Sequence, residues 1–450
     1  MNIPITKTVF DECEKESIVE PLETGWVVQG PNVARFQEMF AEFTGSRHAH
    51  ATTSCTTALH LGLEALGIGR GDKVIVPSFT YIASANAVEY TGAEVIFCDI
   101  DLRTFNIDIR HLEEILSGSG SGRGECEGKV AIMPVNLFGL CADLPEIQKL
   151  AQKYSSTPTN TPTLTHTHTP TENPIYIIED SACGFDGWIG EKHSGTFGDV
   201  GCFSFHPRKS ICTGEGGMLI TDSDEIAARV SQLKDHGASK SDLQRHKEKG
   251  GSLLPDFTMR GYNYRMTDMQ GALGVCQMKK AARIMEGRRR VAKKYDEALD
   301  SVCVRGECEK GSGRKLSEFL IPPYVPEGYK HGYQSYVCLF TGGEDIDDIV
   351  TVNSGSVSDR RRVKEKIDRI NIKRNLFMEK LEARGIATRQ GTHAVHTLGY
   401  YKDKNNFSDE DFLMSYAADR LSIALPLYAE MTDEEFVYVI QNIRDALDEV

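Results

Sequence analysis

Nowhere in the 450 residues do apolar side chains run on for about 18 positions, the length a helix needs to cross a bilayer, so a membrane-spanning chain is not expected. The opening MNIPITKTVFDECEKES lacks the basic end and apolar stretch of a secretory leader, and a cytoplasmic protein is expected. Positive charge is short as well. The 51 lysines and arginines stand against 65 acids, and the resulting −14 repels phosphate backbones and anionic lipid, which makes nucleic acid and membranes poor partners. Paired cysteine spacing is also missing: the 12 cysteines are scattered singly, and the closest two, Cys303 and Cys308, lack CxxC spacing. Neither a zinc site nor a disulfide framework is expected, and a reduced compartment fits.

What is present is an ordinary globular composition, 40% apolar and 26% charged, in a chain too long for one core. Short Val- and Ile-rich runs at 73–78, 94–99, 130–136, 175–179, 200–205 and 218–221 alternate with helix-length segments. Their hydrophobicity is continuous rather than alternating, which places both faces of a mostly parallel sheet under helices and gives an α/β fold class. An apolar stripe of Ala58, Leu59, Leu61, Leu63 and Leu66 follows the polar start Ser54-Cys55-Thr56-Thr57. From about 325 onward the pattern changes to an isolated strand at 333–340 and long helices at 371–384 and after Met431, the last with the capping box Thr432/Glu435. The expected organisation is an N-terminal segment 1–24, a large α/β domain 25–324 and a small α+β domain 325–450. Stretches 117–128, 155–173 and 342–362 are polar or low in complexity and are expected to be surface loops, and the His166 and His168 pair is not expected to hold a metal.

One set of residues carries chemistry. The apolar run 175–178 ends in Glu179-Asp180, an acid at the carboxyl end of a strand, where α/β sheets bind ligands. Lys209 follows another strand and precedes a glycine-rich turn in FSFHPRKSICTGEGG. The start at Ser54 to Thr57 offers helix amides and hydroxyls suited to a phosphate, and Tyr81, after the strand at 73–78, offers a flat ring. An amine for an imine, an acid for a ring nitrogen, a phosphate cradle and a stacking ring are what pyridoxal phosphate requires. Singly, each residue is equally compatible with a solvated lysine, a paired acid, an ordinary N-cap or a packed tyrosine.

The segments GWVVQGPNVARFQEMFA, TTSCTTALHLGLEALGIGRGDKVIVPSFTYIASANAVEYTGAEVIFCDID, PVNLFGLCADL, IIEDSACGF, GDVGCFSFHPRKSICTGEGGMLITD and RGYNYRMTDMQGALG resemble the DegT-type sugar aminotransferases (DegT/DnrJ/StrS). These are pyridoxal phosphate-dependent transferases of fold type I, the aspartate aminotransferase class. The resemblance runs from about Thr24 to Lys280 and resumes more loosely beyond. It implies that Lys209 is the Schiff-base anchor and proton carrier and that Asp180 pairs with the pyridine nitrogen. It further implies that Cys55, Thr56, Thr57 and Ser204 surround the phosphate, that Asn263 reaches the phosphate of a neighbouring subunit in a homodimer, and that Tyr81 stacks on the ring. Cys183 stands where many relatives carry Gln or His near the phenolic oxygen, and Asn136 where a His is common. Gln29, His206, His393 and Arg389 are the substrate-side candidates, with His396 equally compatible with packing.

The function so implied is transfer of an amino group, with glutamate as donor, to a keto group of a nucleotide-linked deoxysugar, as in perosamine synthesis for lipopolysaccharide. Another carbonyl sugar, such as an eight-carbon sugar acid, is the alternative acceptor. A family dehydratase carries His in place of Lys209, and a non-catalytic role sits poorly with the retained Lys209, Asp180, Ser204 and Asn263.

Overall fold

Runs of valine and isoleucine without a polar face need cover on both sides, and the fold supplies it. A computed structural model of the protein describes residues 1–118, 128–155, 174–239, 255–304, 314–351 and 357–450. The apolar runs are strands of one seven-stranded sheet in the order His48–Thr52, Gly217–Thr221, Val200–Ser204, Ile175–Asp180, Val130–Ile132, Lys73–Pro77, Glu94–Cys98. The five strands from Val200–Ser204 to Glu94–Cys98 pair in parallel, and Gly217–Thr221 runs antiparallel to both of its neighbours. His48–Thr52 is the strand the sequence did not announce. Its HAHAT offers no apolar run, and what holds it is the register on the buried Gly217–Thr221, from His48 opposite Thr221 to Thr52 opposite Gly217.

This topology gathers chemistry at one edge. The carboxyl ends of His48–Thr52, Val200–Ser204 and Ile175–Asp180 and the amino end of Gly217–Thr221 lie side by side, so Thr52, Gly217, Ser204 and Asp180 follow one another across the sheet. The helix Cys55–Ala65 starts from the same edge. Its Leu59, Leu61 and Leu63 are at most 1% exposed and pack with Val200, Cys202 and Leu219. At about 1.5–3 kcal/mol per buried leucine, that face holds the helix start in place by roughly 5–9 kcal/mol.

A second, three-stranded antiparallel sheet, Leu320–Ile321, Tyr336–Phe340 and Ser422–Leu425, lies under the helices Val357–Ala383, Leu413–Leu421 and Asp433–Leu447. The chain start is tied here too: Ile3 exchanges backbone hydrogen bonds with Gly385 and Ala387, and Leu427 donates to the Ile5 carbonyl.

Two expectations need correction. The described part of the stretch 342–362 is not all surface loop, because Asp347–Thr351 is a helical turn and Val357–Ala383 is a single helix that begins well before 371. Its charges decorate the outer face of a stripe made by Val363, Ile367 and Ile370, all buried, while Ile346 and Ile349 pin the turn. Second, Cys13 and Cys276 form a disulfide, with Cα atoms 6.0 Å apart. The pairing spans 263 residues and arises from the docking of Glu12–Ser17 on Asp268–Lys279, which spacing along the chain does not reveal. Around it Gln277 donates to the Val9 carbonyl and Glu14, and Lys280 pairs with Asp11 and Glu14. Residues 119–127 and 156–173, with His166 and His168, lie outside the described residues. Among the described residues no helix is long and apolar enough to cross a membrane.

Candidate active site

Asp180 ends its strand 4% exposed, with its backbone bonded to Pro134 and Asn136 of the neighbouring strand end. Its Oδ2 accepts from Ser84 Oγ at 2.7 Å and its Oδ1 from the Ala182 amide at 3.1 Å. Burial pushes its carboxyl above the usual range, and the two donors and the charge of Lys209 only partly oppose this. The preceding Glu179 is fully buried and takes the amides of Gly195, Phe197 and Gly198 at 2.6–2.9 Å and Asn136 Nδ2 at 3.0 Å. Glu179 braces the neighbouring loop while Asp180 faces the sheet edge. Asn136 thereby gains a role the sequence left open, since its amide also donates to Ser181 Oγ and its oxygen accepts from Ala142.

Lys209 is half-buried in the turn after Val200–Ser204, its amide bonded to the His206 carbonyl. Its Nζ lies 3.1 Å from Cys183 Sγ. Burial favours the neutral amine, but the Cys183 sulfur, with Cys55 and Asp180, outweighs it and holds the ammonium above its ordinary range. Two hydrogen bonds fasten this turn to the helix Asp268–Lys279: the Cys212 amide donates to Gln277 Oε1 and Gln270 Nε2 donates to the Glu215 carbonyl.

The helix start is built as an anion cradle. Ser54 caps Cys55–Ala65 by accepting from the Thr57 amide, and Thr57 Oγ1 in turn accepts from the Ser54 amide. The Cys55 and Thr56 amides remain at the positive end beside the half-buried Thr56. Gly217 presses on this start, since a Cβ there would lie 2.4 Å from the Ser54 carbonyl carbon. Ser204 pairs with Gly217 from the other side, so its hydroxyl stands two strand spacings, about 10 Å, from Thr52. Cys55 itself is buried, and burial pushes its thiol well up.

Tyr81 is 66% exposed, at the end of Phe79–Thr80. That short strand pairs with His393–Ala394, which sets His393 opposite Thr80 and therefore beside Tyr81. Ser84, the residue not anticipated, ties Tyr81 to the acid: besides reaching Asp180, its Oγ bonds the Tyr81 carbonyl at 3.2 Å and the Thr80 hydroxyl at 2.9 Å. The hydroxyls of Thr80 and Ser84 at i and i+4 in TYIAS are the signal that was available. Asn263 is exposed between Tyr262 and Tyr264, whose rings stack at 5.0 Å, and the Tyr264 carbonyl accepts from Thr53 beside the helix start.

The remaining candidates divide. His206 is partly exposed near Lys209, 4.0 Å from Glu215. Gln29 lies just before the helix Pro31–Thr44, whose start Asp268 caps, and its buried Oε1 has no donor among the described residues. Arg389 is not brought to this edge. It bonds across to Ala424 and lines a 390 Å³ groove with Asn2, Asn375 and Glu382, which shares no residue with the set around Lys209. His396 is fully buried against Ser78 Oγ at 2.6 Å and Phe412, a packing histidine.

An amine beside an acid, with an anion cradle two strands away, suits pyridoxal phosphate, and likeness to known proteins agrees. The model of the DegT/DnrJ/EryC1/StrS aminotransferase family matches residues 9–157, 168–332 and 353–444. The GDP-perosamine synthase of Caulobacter vibrioides is 30% identical over 449 residues, covering 100% of this chain and 98% of that protein. Among solved structures, the PLP form of Spr1654 from Streptococcus pneumoniae has a TM-score of 0.79 at 24% identity, covering 100% of this chain and 99% of that one. Helicobacter pylori PseC, an aminotransferase involved in the biosynthesis of pseudoaminic acid, has a TM-score of 0.77 at 21% identity with both chains covered in full. The chain belongs to the DegT/DnrJ/EryC1/StrS aminotransferase family and is a pyridoxal phosphate-dependent aminotransferase.

Proposed function

We propose that the protein moves an amino group from L-glutamate to the keto group of a nucleotide-linked deoxysugar, a perosamine synthase-like step in amino-sugar assembly for a surface polysaccharide such as lipopolysaccharide. The observation that carries this reading is the full-length 30% identity to a GDP-perosamine synthase, together with Lys209 and Asp180 at one sheet edge. Bound there, the cofactor supplies an aldehyde for amines and a ring that withdraws electrons from the carbon bearing nitrogen.

The chain's own groups do the rest. Lys209 holds the cofactor and, once released by the donor, carries a proton from Nζ to and from the substrate carbon. Asp180, kept dry and aimed by Ser84, holds the proton on the ring nitrogen. The Cys55 and Thr56 amides, with Thr56, Thr57 and Ser204 around them, take the phosphate, and Tyr81 covers the ring. His393, beside Tyr81, His206 by the Lys209 turn, and Gln29 before the helix Pro31–Thr44 are the groups offered to the sugar. Asn263 lies exposed on the flank of the cradle, which suits a cytoplasmic homodimer in which it completes the partner's phosphate site. Its Ala variant then binds cofactor more weakly in a direct titration.

The test is an absorbance spectrum of the purified protein with pyridoxal phosphate, before and after glutamate, followed by turnover with a GDP-linked keto-deoxysugar. A visible band that shifts with glutamate, lost in Lys209→Ala, and an amino-sugar product are expected. A band blind to amino donors refutes the donor half, and amination of an eight-carbon sugar acid in preference to the nucleotide sugar refutes the acceptor.

A further inference from the structure

Cys183 does not play the part of an ordinary buried thiol. Of the free cysteines with described side chains, Cys55, Cys98, Cys141, Cys202, Cys212 and Cys338 are buried, whereas Cys183 is half-buried and stands 3.1 Å from the Lys209 amine. The thiolate is the form of a cysteine that reacts with peroxide. The sulfur, once oxidised, has a nitrogen nucleophile already in contact and no need of a second cysteine.

We propose that Cys183 and Lys209 are a modification site: hydrogen peroxide joins them through a sulfur–nitrogen bond that thiols reopen, and the site is open whenever the Lys209 amine is not engaged by cofactor. The Cys183 thiolate attacks peroxide, gaining one oxygen and releasing hydroxide, so the sulfur loses two electrons and the peroxide takes them up. The neutral Lys209 amine then attacks the sulfenic sulfur. The nitrogen–sulfur bond forms, the sulfur–oxygen bond breaks, and water leaves with a proton from the amine. Oxidation also removes the sulfur charge that keeps Lys209 protonated, leaving burial to favour the neutral amine that the second step needs. A thiol reductant reverses the sequence: its sulfur attacks Cys183, breaking the nitrogen–sulfur bond, returning the amine and forming a mixed disulfide, and a second thiol attacks that disulfide, releasing the Cys183 thiol and leaving the reductant as its own disulfide.

The inference rests on Lys209 as the cofactor's anchor for its regulatory meaning. Enzyme holding the aldehyde form has Lys209 occupied and is protected. Enzyme that has taken an amino group from glutamate, and waits for an acceptor, has Lys209 free beside Cys183 and is sensitive. Peroxide would then arrest the enzyme when donor is plentiful and the keto-sugar is scarce.

The experiment treats three samples of the full chain with equimolar hydrogen peroxide: cofactor-free, loaded with pyridoxal phosphate, and loaded then exposed to glutamate. Intact mass and peptide mapping are read with and without dithiothreitol. The first and third samples should lose about 2 Da, the two hydrogens given up, with the peptides bearing Cys183 and Lys209 joined and dithiothreitol separating them. The loaded sample and Cys183→Ser should show no joined peptide, and activity in the third sample should fall in parallel with the join. Mapping of the loss to a Cys55–Cys183 disulfide, or oxidation of Cys183 to the sulfinic acid without joining Lys209, overturns the proposal. A joined peptide that pyridoxal phosphate fails to block keeps the cross-link but overturns Lys209 as anchor. Cofactor binding at Lys209 with no joined peptide in the cofactor-free chain does the reverse.

Discussion

Ser84→Ala isolates the support beneath Asp180. The Ser84 side chain is fully buried, donates to Asp180 Oδ2 at 2.7 Å and shares a 2.9 Å contact with the Thr80 hydroxyl. Hydrogen bonds to a charged group contribute about 1.5–3 kcal/mol, and burial already works against the ionised acid, so its loss falls on the carboxylate that must hold the ring nitrogen's proton. At about 1.4 kcal/mol per tenfold, cofactor affinity should drop by about tenfold to a hundredfold. Because the Asp180 carboxyl is raised, it takes up a proton earlier than a free carboxyl as pH falls, and the deficit should widen with falling pH. Titrating cofactor-free protein with pyridoxal phosphate across a pH series measures this. Ser84→Thr keeps the hydroxyl and should recover most of the affinity. Equal binding by parent and Ser84→Ala refutes the reasoning, and so does a Thr variant as weak as Ala, which would make the site one of shape rather than hydrogen bonding.

Acid should loosen the fold before carboxylates titrate in bulk. Burial lowers His50 and His331 to about 3 and His193 to about 4, so the unfolded chain binds protons near pH 6.5 that the folded one refuses. Stability from these groups is present above about 6.5 and lost as pH falls, by about 2 kcal/mol per histidine at pH 5, while Asp199, raised by burial to about 6, and Glu179 and Asp180, raised likewise, act in the opposite sense. A melting temperature unchanged between pH 7 and pH 5 contradicts this. Reducing the Cys13–Cys276 bridge, which closes a loop of 263 residues, should lower the melting temperature, the upper limit being about 5 kcal/mol on loop-entropy grounds. Alkylation of both cysteines in the unreduced protein would show that no such bridge exists.

Much of the fold was readable because its strands are buried on both faces and therefore spelled in Val and Ile. The strand His48–Thr52 was not, since its membership comes from a partner rather than from its own residues. Charge misled at 357–362, where the run SDRRR looked loop-like although Val363 and Ile367, just beyond it, start a helical stripe. Around the site, Lys209 and Asp180 announce themselves through local neighbours, Gly-rich turn and apolar strand. Ser84 and Asn136 act through partners on other strands, so their roles appear only when the sheet closes. Arg389 shows the converse: its type and place in the chain suit an anion, yet the pairing with Ala424 carries it to another face.

The helix Asp268–Lys279 serves as the reference surface against which the lysine's position is gauged. One end caps Pro31–Thr44 through Asp268, its body holds the chain just after Lys209 through Gln277 and Gln270, and its far side is tethered by Cys276. The tolerance of that arrangement is set by two glycines, for a Cβ on Gly271 would stand 2.5 Å from the Val33 nitrogen and one on Gly274 2.6 Å from the Phe36 ring. A single methyl group added there would move the whole gauge rather than one contact. The chain therefore carries, at a helix seam remote from its lysine, a place where a mutation would be felt as misalignment of the cofactor before it is felt as unfolding.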